Sequence, residues 1–338
     1  MVAPEEDVLT AKHVPLGLTE KDLVEMYAKM VLARVLDDRL WALNRLGKVP
    51  FFTSCRGHEA AQVGSAYVLR RGQDFVLPYY RDWAVVLVLG MSAQELMAGA
   101  FAKATDPCTG GRQMPAHFGY PPLRIISSSS PVATQIPHAV GVALGSKLRG
   151  EEAVTIVYFG DGATSKGDFH EGLNFAAIHR LSVVFFCENN SYAISVPLRK
   201  QMAVEQVADR AKGYGFPGIS VDGNDLLAVY QATKEAHERA RRGGGPTLIE
   251  AKTYRLVPHS TDDDDRRYRS REEVEAWRQR DPIDRFKRYL TQEGVLTEAL
   301  EREIWEEATK EVDDATEFAE KSPDPDPKDI MRHIYFEG

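Results

Sequence analysis

Two runs of β-branched and aromatic residues, at 154–159 and 183–187, constrain the fold of this chain more than any other feature. Each is long enough for a buried strand and ends in polar turn residues: GDG at 160–162 follows the first run, and ENN at 188–190 follows the second. Residues 168–180 between them can form a helix. Strand, helix and strand in this order predict a crossover unit of a parallel sheet.

Further segments extend this unit into a larger α/β fold. Residues 226–242 predict a helix, and residues 247–251, after a Gly-rich turn, predict another buried strand. A long helix is expected over 19–46 with Thr19 as its N-cap, and the chain becomes charged and helical after about residue 270. We therefore predict a doubly wound, mainly parallel sheet with helices on both faces and helical extensions at both ends.

The chain length of 338 residues fits one large domain or two small ones. We expect an N-terminal arm over 1–18, one domain over 19–320 that includes the C-terminal helices, and a tail over 321–338. Small residues recur four apart within 133–148. Because a neighbouring helix can approach such a surface closely, this segment is expected to be a tightly packed interior or interface helix.

Charge and composition exclude several classes of protein. The formal charge of −8 argues against a surface built to hold nucleic acid or an anionic membrane. The longest apolar run, 83–91, is about half of the roughly 20 residues that a membrane span needs. The acidic N-terminal sequence lacks the features of a secretory signal, so a cytoplasmic location is expected. Three cysteines without CxxC spacing suggest neither disulfides nor a zinc site.

Several familiar motifs are incomplete or missing. Neither a GxxxxGK[ST] phosphate loop nor a GxGxxG turn is present. The His58-Glu59 pair resembles the start of a zinc-protease motif, but Gln62 stands where the second histidine is required. The aspartate run at 262–265 lacks the glycine and glutamate of a calcium-binding loop. We interpret both segments as capping or solvated features.

The polar turns after the two central strands predict a magnesium site. In a parallel sheet, ligands collect outside the carboxyl ends of the strands, so GDG and NN should lie close together. Asp161 offers a carboxylate, Asn190 an amide oxygen and Tyr192 a backbone carbonyl, which are the hard oxygen donors that suit Mg²⁺ together with phosphate. The glycines allow the backbone to approach such a ligand. The alternative is two unrelated tight turns, for which these sequences are also typical.

The run from GDGA to ENNSYAIS resembles the thiamine diphosphate motif of thiamine-dependent enzymes. More specific segments are GRQMP at 111–115, SSPVATQIP at 129–137, and PHST at 258–261 leading into DDDD and Tyr268-Arg269. Together they resemble the α subunits of the E1 component of 2-oxo acid dehydrogenase complexes, and most of all the branched-chain members. The resemblance runs from about residue 19 to about residue 320.

The resemblance implies roles for individual residues. His259 would be catalytic, because an imidazole poised near neutrality can donate to phosphate and assist proton transfer. Mg²⁺ would be held by Asp161, Asn190 and the Tyr192 carbonyl. Contacts to the cofactor would come from Tyr80, Arg81, Ser130, Val132, Asp161, Gly162, Ala163, Asn190, Tyr192, Ile194 and His259. A potassium site would be formed by Ser129, Pro131, Thr134 and Gln135, although the same residue types also serve ordinary helix capping.

Two apolar residues, Phe52 and Val132, match family positions that line the substrate pocket, where burial would favour longer aliphatic chains over pyruvate. Ser260 aligns with a position that mitochondrial relatives phosphorylate, and here we expect it to order its loop. The chain departs from the pattern at two positions. Asp161 stands where many branched-chain relatives have Glu, and Glu188 replaces an Arg that helps to bind the diphosphate in some relatives, so that contact must be lost or supplied by another residue.

The function implied is that of an oxidoreductase subunit dependent on thiamine diphosphate. It would decarboxylate branched-chain 2-oxo acids such as 2-oxoisovalerate and pass the acyl group to the lipoyl domain of E2. A β subunit would complete the active site in an α2β2 heterotetramer. The α subunits of pyruvate and acetoin dehydrogenases remain alternatives within the enzyme class, and a non-catalytic scaffold of the same fold is the alternative outside it.

Overall fold

The computed structural model describes Leu9, residues 11–332 and residues 334–335, so the expectations for residues 1–8 and for the end of the tail lie largely outside the described residues. A five-stranded parallel sheet has the order β1-β2-β3-β7-β6. Its strands are β1 (Phe75–Leu77), β2 (Thr155–Gly160), β3 (Val183–Asn189), β6 (Gly218–Asp222) and β7 (Thr247–Lys252), and a small antiparallel pair is formed by β4 (Tyr192–Ala193) and β5 (Val196–Pro197).

Eleven α-helices surround the sheet within the described part of the chain. They are α1 (His13–Leu16), α2 (Glu20–Arg45), α3 (Glu59–Ala66), α4 (Trp83–Leu89), α5 (Ala93–Ala100), α6 (Gln135–Leu148), α7 (Gly167–Ile178), α8 (Leu226–Arg241), α9 (Arg271–Arg278), α10 (Pro282–Gln292) and α11 (Glu298–Lys321). No helix among the described residues is both long and apolar enough to cross a membrane.

Alternate residues of the central strands enter two separate cores. Ile156 and Tyr158 of β2 pack with α2, α3, α4 and α8 on one face of the sheet, whereas Val157 and Phe159 pack with α6 and α7 on the other. This is the pattern expected for a parallel sheet buried on both faces, since successive side chains point in opposite directions. The prediction of an α/β sheet covered on both faces is confirmed.

Most element boundaries lie within two residues of those predicted. Helix α2 begins after Thr19, whose side chain forms a reciprocal capping box with Asp22. Strand β3 runs two residues beyond its apolar run, because Glu188 and Asn189 continue the ladder with β7. Helix α6 begins at Gln135 rather than 133, since Ala133 has a left-handed φ of 75° that no helix tolerates.

The small-residue helix α6 is buried on one side only within this chain. Ala139 and Ala143 are buried against the sheet and α7. In contrast, a side chain added at Gly141 or Gly145 would meet nothing within 4 Å. The predicted tight packing is therefore confirmed for the face of α6 that carries the alanines. The face that carries the glycines is not covered by any of the described residues.

A buried carboxylate ties the start of β1 to the neighbouring strand and to α8. Asp74 accepts hydrogen bonds from His237 Nε2 at 2.9 Å, from Arg70 Nη2 at 2.7 Å and from the Val154 amide at 2.9 Å. Burial alone would raise the pKa of Asp74, but these donors outweigh burial and lower the pKa below its ordinary value. The ionised carboxylate thus stabilises the folded state.

Replacing Asp74 with asparagine should lower the free energy of unfolding at neutral pH by about 3 kcal/mol, because it breaks a buried charged network. A lowered folded-state pKa gives stability that is present above the unfolded pKa of about 3.9 and is lost below it. Denaturant unfolding across this range should therefore show a gap between wild type and variant that narrows below about pH 4. An equal gap at neutral and acid pH would contradict this account. The exposed Asp209 provides the control position, where the same change should cost little.

Candidate active site

A cavity of about 310 Å³ opens at the carboxyl ends of β2 and β3. Eleven residues predicted to contact the cofactor line it, together with residues that the sequence analysis assigned to potassium or did not single out. The full lining is Tyr79, Tyr80, Arg81, Ser129, Ser130, Val132, Gln135, Phe159, Gly160, Asp161, Gly162, Ala163, Asn190, Tyr192, Ala193, Ile194, Arg255 and His259. The two polar turns therefore meet at one site, as the strand order requires.

The Asp161 carboxylate is fully buried at the base of the cavity. Its Oδ1 accepts a hydrogen bond from the backbone amide of Asn190 at 3.3 Å. Its Oδ2 accepts one from the side-chain Nε2 of Gln201 at 2.6 Å. Burial raises the pKa of Asp161, and the Gln201 hydrogen bond acts in the opposite direction. Both close hydrogen-bond donors are neutral amides, so the negative charge of this carboxylate is not matched by a cation of the described residues within ion-pair distance.

All three residues expected to hold the metal line the cavity, and a left-handed residue lies between two of them. Ser191 has a left-handed φ of 70°, which turns the chain between Asn190 and Tyr192. The Tyr192 amide donates to Asn190 Oδ1 at 3.4 Å, so the side chain follows this turn. Gly162 permits the packing beneath it, since a Cβ at that position would lie 2.8 Å from Ala193 Cβ.

Two buried guanidinium groups face the same cavity on the side of His259. Arg81 Nη2 lies 3.3 Å and Arg255 Nη1 lies 2.8 Å from His259 Nδ1. Their other partners are neutral: Arg81 donates to the Ser54 carbonyl, and Arg255 donates to the Ile194 carbonyl at 2.7 Å. Neither forms an ion pair with a carboxylate of the described residues. Two desolvated positive charges that pair with no carboxylate of the described residues form a candidate anion-binding site, since guanidinium groups suit phosphate oxygens.

The same two arginines determine the state of His259. Because Nδ1 accepts from both guanidinium groups, the ring proton belongs on Nε2. Burial and the charges of Arg81 and Arg255 lower the pKa of His259 to about 3. The structure thus differs from the expectation of an imidazole poised near neutrality, since two cations lie beside the ring. His259 is a neutral donor whose Nε2–H is free of the arginines.

The loop that carries His259 is held by a charged network. Asp263 accepts the His259 amide at 2.8 Å and the Tyr268 hydroxyl. Arg269 pairs with Asp265 at 2.6 Å and donates to the Val257 carbonyl at 2.7 Å. The aspartate run therefore orders the loop. Ser260, which was expected to order it, is buried, and its Oγ accepts the Asp262 amide at 3.4 Å.

The residues expected to bind potassium are only partly gathered around the cavity. Ser129 and Gln135 line it, whereas Pro131 and Thr134 do not. Gln135 Nε2 donates to the Tyr158 carbonyl at 3.0 Å, and its Oε1 is buried without a hydrogen-bond partner. Ser130 shares a 2.6 Å hydrogen bond with His117 Nε2, and His117 Nδ1 lies 3.0 Å from the Met114 carbonyl, so His117 links the GRQMP segment to the cavity wall.

Phe52 and Glu188 lie beside the cavity rather than in it. Phe52 is 1% exposed and packs against Trp83, with ring centroids 5.4 Å apart. Its backbone bonds to Thr261, next to the His259 turn. Glu188 points towards α3, where its Oε2 accepts Gln62 Nε2 at 3.2 Å, and the same oxygen accepts the Tyr79 hydroxyl at 2.8 Å. A basic group in the cavity is supplied instead by Arg255.

Sequence reasoning missed Arg255, Gln201 and Tyr79. Arg255 follows a buried strand within an apolar context, where an arginine is typical of a structural ion pair. Gln201 lies 40 residues from Asp161 in irregular chain. An arginine close to the predicted carboxyl end of a sheet strand was the one available signal, since β7 ends at Lys252.

Comparison with known proteins places these features in a family. The family model described as "Dehydrogenase E1 component" matches residues 27–328. The chain is 55% identical over 326 residues to the 2-oxoisovalerate dehydrogenase subunit alpha of Bacillus subtilis, covering 96% of this chain and 99% of that protein. It is 41% identical to the 3-methyl-2-oxobutanoate dehydrogenase subunit alpha of Mycobacterium tuberculosis, covering 100% of this chain and 89% of that protein.

A relative named for another substrate is similar as well. The pyruvate dehydrogenase E1 component subunit alpha of Staphylococcus aureus is 41% identical, covering 97% of this chain and 86% of that protein. The parallel sheet, with a polar cavity at the carboxyl ends of its strands, is the architecture of an α/β enzyme. The chain belongs to the dehydrogenase E1 component family.

Proposed function

We propose that this protein is the α subunit of a branched-chain 2-oxo acid dehydrogenase, an oxidoreductase that uses thiamine diphosphate and Mg²⁺. The observation that carries the proposal is the cavity itself, which is lined by a buried carboxylate and by two buried guanidinium groups, none of which forms an ion pair with another of the described residues. A magnesium diphosphate group would satisfy both. The 55% identity to the Bacillus subtilis protein favours 2-oxoisovalerate, because the pyruvate-named relative is more distant at 41%.

The donor set fits Mg²⁺ rather than a soft metal. Among the described residues, no group of three or more His, Cys, Asp or Glu side chains could hold a metal ion. Asp161, Asn190 and the Tyr192 carbonyl supply hard oxygens, and phosphate would provide further ligands. The buried, unpartnered Oε1 of Gln135 supports a potassium ion beside Ser129, where Pro131 and Thr134 could contribute from outside the cavity wall.

The cavity residues divide into two functions. Arg81 and Arg255 would bind the diphosphate oxygens, while Gly162 and Ala163 offer backbone amides at the turn. When bound, the thiazolium ring supplies the carbon nucleophile and the electron sink for decarboxylation. His259 would donate its Nε2–H to an oxygen of phosphate or substrate. His259 would take up a proton more readily with an anion bound beside it, because that anion would offset the charges of Arg81 and Arg255.

A second chain would complete the active site. Val132 and Ile194 line the cavity but are 40% and 55% exposed, so its mouth is an open apolar surface. This exposure supports a β subunit that covers the mouth and supplies the remaining cofactor contacts in an α2β2 assembly. It also supports an apolar site for the substrate side chain at Val132. The lipoyl domain of E2 would then receive the acyl group.

Decarboxylation of 2-oxoisovalerate by the chain alone and by the chain mixed with its β subunit tests this proposal. Thiamine diphosphate, Mg²⁺ and a lipoyl acceptor for the acyl group are present in both samples, and release of CO₂ is measured. Turnover should be negligible for the chain alone and substantial for the mixture. Full turnover by the chain alone would refute the shared site, and an inactive mixture that binds no cofactor would favour the non-catalytic scaffold.

A further inference from the structure

His58 is a buried histidine that the proposed mechanism does not use. It precedes α3 and is 0% exposed, and it does not line the cavity. Its backbone is fixed on both sides, because its amide donates to the Cys55 carbonyl at 2.8 Å and its carbonyl accepts the Gln62 amide at 3.0 Å. Glu59 secures the same helix start through a 2.7 Å ion pair with Arg34.

The His58 ring reaches across the chain to an expected metal ligand. Its Nε2 lies 3.3 Å from Asn190 Nδ2, a residue 132 positions away. The Tyr192 amide donates to the other end of this side chain, Asn190 Oδ1, so the NH₂ group faces His58 and Nε2 accepts from it as the unprotonated nitrogen of a neutral ring. Burial, together with the charges of Arg81 and Arg255, lowers the pKa of His58 well below its ordinary value and keeps the ring neutral.

This contact determines which end of the Asn190 side chain faces the metal position. With Nδ2 held by His58, Oδ1 is directed to the turn, where it accepts the Tyr192 amide at 3.4 Å. Rotation of the amide by half a turn would place its NH₂ group against the Tyr192 N–H, which is repulsive. The Tyr192 contact therefore favours the observed orientation, in which Nδ2 donates to Nε2 of His58.

We propose that His58 is a positioning residue for the divalent cation, holding the Asn190 amide so that its oxygen is offered as a ligand. The inference rests on the proposed function, since the cation belongs to that site. His58 does not itself touch the cation or cofactor. Partners that orient metal ligands in this way typically change metal affinity by about 10- to 100-fold when they are removed.

The test uses the assembly of this chain with its β subunit, saturated with thiamine diphosphate and titrated with Mg²⁺ in a calorimeter. His58→Phe keeps a ring of similar size but removes the acceptor, and should raise the Kd for Mg²⁺ by about 10-fold or more. His58→Gln places an amide oxygen near the position of Nε2 and should restore most of the affinity. Thermal unfolding without Mg²⁺ reports any general loss of structure.

A double-mutant cycle isolates the contact. In an Asn190→Ala background, His58→Phe should cause no further loss of Mg²⁺ affinity, because the amide that His58 orients is gone. Wild-type affinity in His58→Phe, equal weakening by Phe and Gln, or additive effects in the cycle would overturn the inference. Failure of the wild-type assembly to bind Mg²⁺ would overturn the proposed function as well.

Discussion

Replacing Asp161 with asparagine should weaken Mg²⁺-dependent binding of thiamine diphosphate by more than about 100-fold, which exceeds the usual effect of residues that only support a metal ligand. The carboxylate is the one charged ligand among the three oxygen donors that Asp161, Asn190 and Tyr192 would supply. Asparagine has nearly the same shape, so the hydrogen bonds around the turn can largely be kept. Calorimetric titration of thiamine diphosphate into the Mg²⁺-loaded assembly measures the effect.

The same Asp161→Asn change, which should weaken cofactor binding, should not lower the stability of the protein without ligands. Because burial raises the pKa of Asp161, the ionised carboxylate is held in an unfavourable environment until a cation arrives. The Asn variant should therefore unfold at a temperature equal to or above that of wild type without cofactor, and should gain nothing from Mg²⁺ and thiamine diphosphate. Asp168→Asn, in the first turn of α7 and outside the cavity lining, is the control. Wild-type stabilisation by cofactor in the Asp161 variant would contradict the site.

Replacing His259 with asparagine should lower kcat by about 100-fold, the range expected when a positioned proton donor is removed. Asparagine Oδ1 can still accept from Arg81 and Arg255 near the position of Nδ1, so the arginines should remain in place. What it lacks is the Nε2–H that the structure leaves free of both arginines. Steady-state decarboxylation by the assembly at saturating cofactor measures the loss.

His259→Gln provides the matched comparison, since its amide extends further and can place a donor near the position of Nε2. It should retain more activity than the Asn variant, whereas affinity for thiamine diphosphate should change little in either. If the His259→Asn variant preserved wild-type kcat, the proposed role for His259 would be wrong. If both variants lost the cofactor, His259 would act in binding rather than in proton transfer.

The site residues that could be predicted from sequence are those whose place in the fold follows from the residues next to them in the chain. Asp161 and Asn190 each follow an apolar run, and parallel strands present their carboxyl ends at one edge of a sheet, so the two residues are predicted to be neighbours from sequence alone. The family segments add Arg81 and His259. The start of α2 can be predicted in the same way, since Thr19 and Asp22, three residues apart, form a capping box.

The contacts that escaped prediction depend on long-range packing. Gln201 meets Asp161 across 40 residues, and His58 meets Asn190 across 132. The lowered pKa of His259 also follows from burial and from two arginines that are distant in sequence or separated by a turn, so the imidazole alone could not reveal it. Resemblance assigns Phe52 to the substrate pocket, but its ring packs with Trp41 and Trp83. Such positions are determined by the folded core rather than by neighbours along the chain.

The most direct test of the central claim is the ratio of kcat/KM for 2-oxoisovalerate and pyruvate, measured on the assembly of this chain with its β subunit. The branched substrate carries two more carbons, each worth about 0.8 kcal/mol when buried, which corresponds to a preference of roughly tenfold or more. We expect 2-oxoisovalerate to be favoured by at least this factor, with turnover dependent on thiamine diphosphate and Mg²⁺. Equal values, or a preference for pyruvate, would contradict it.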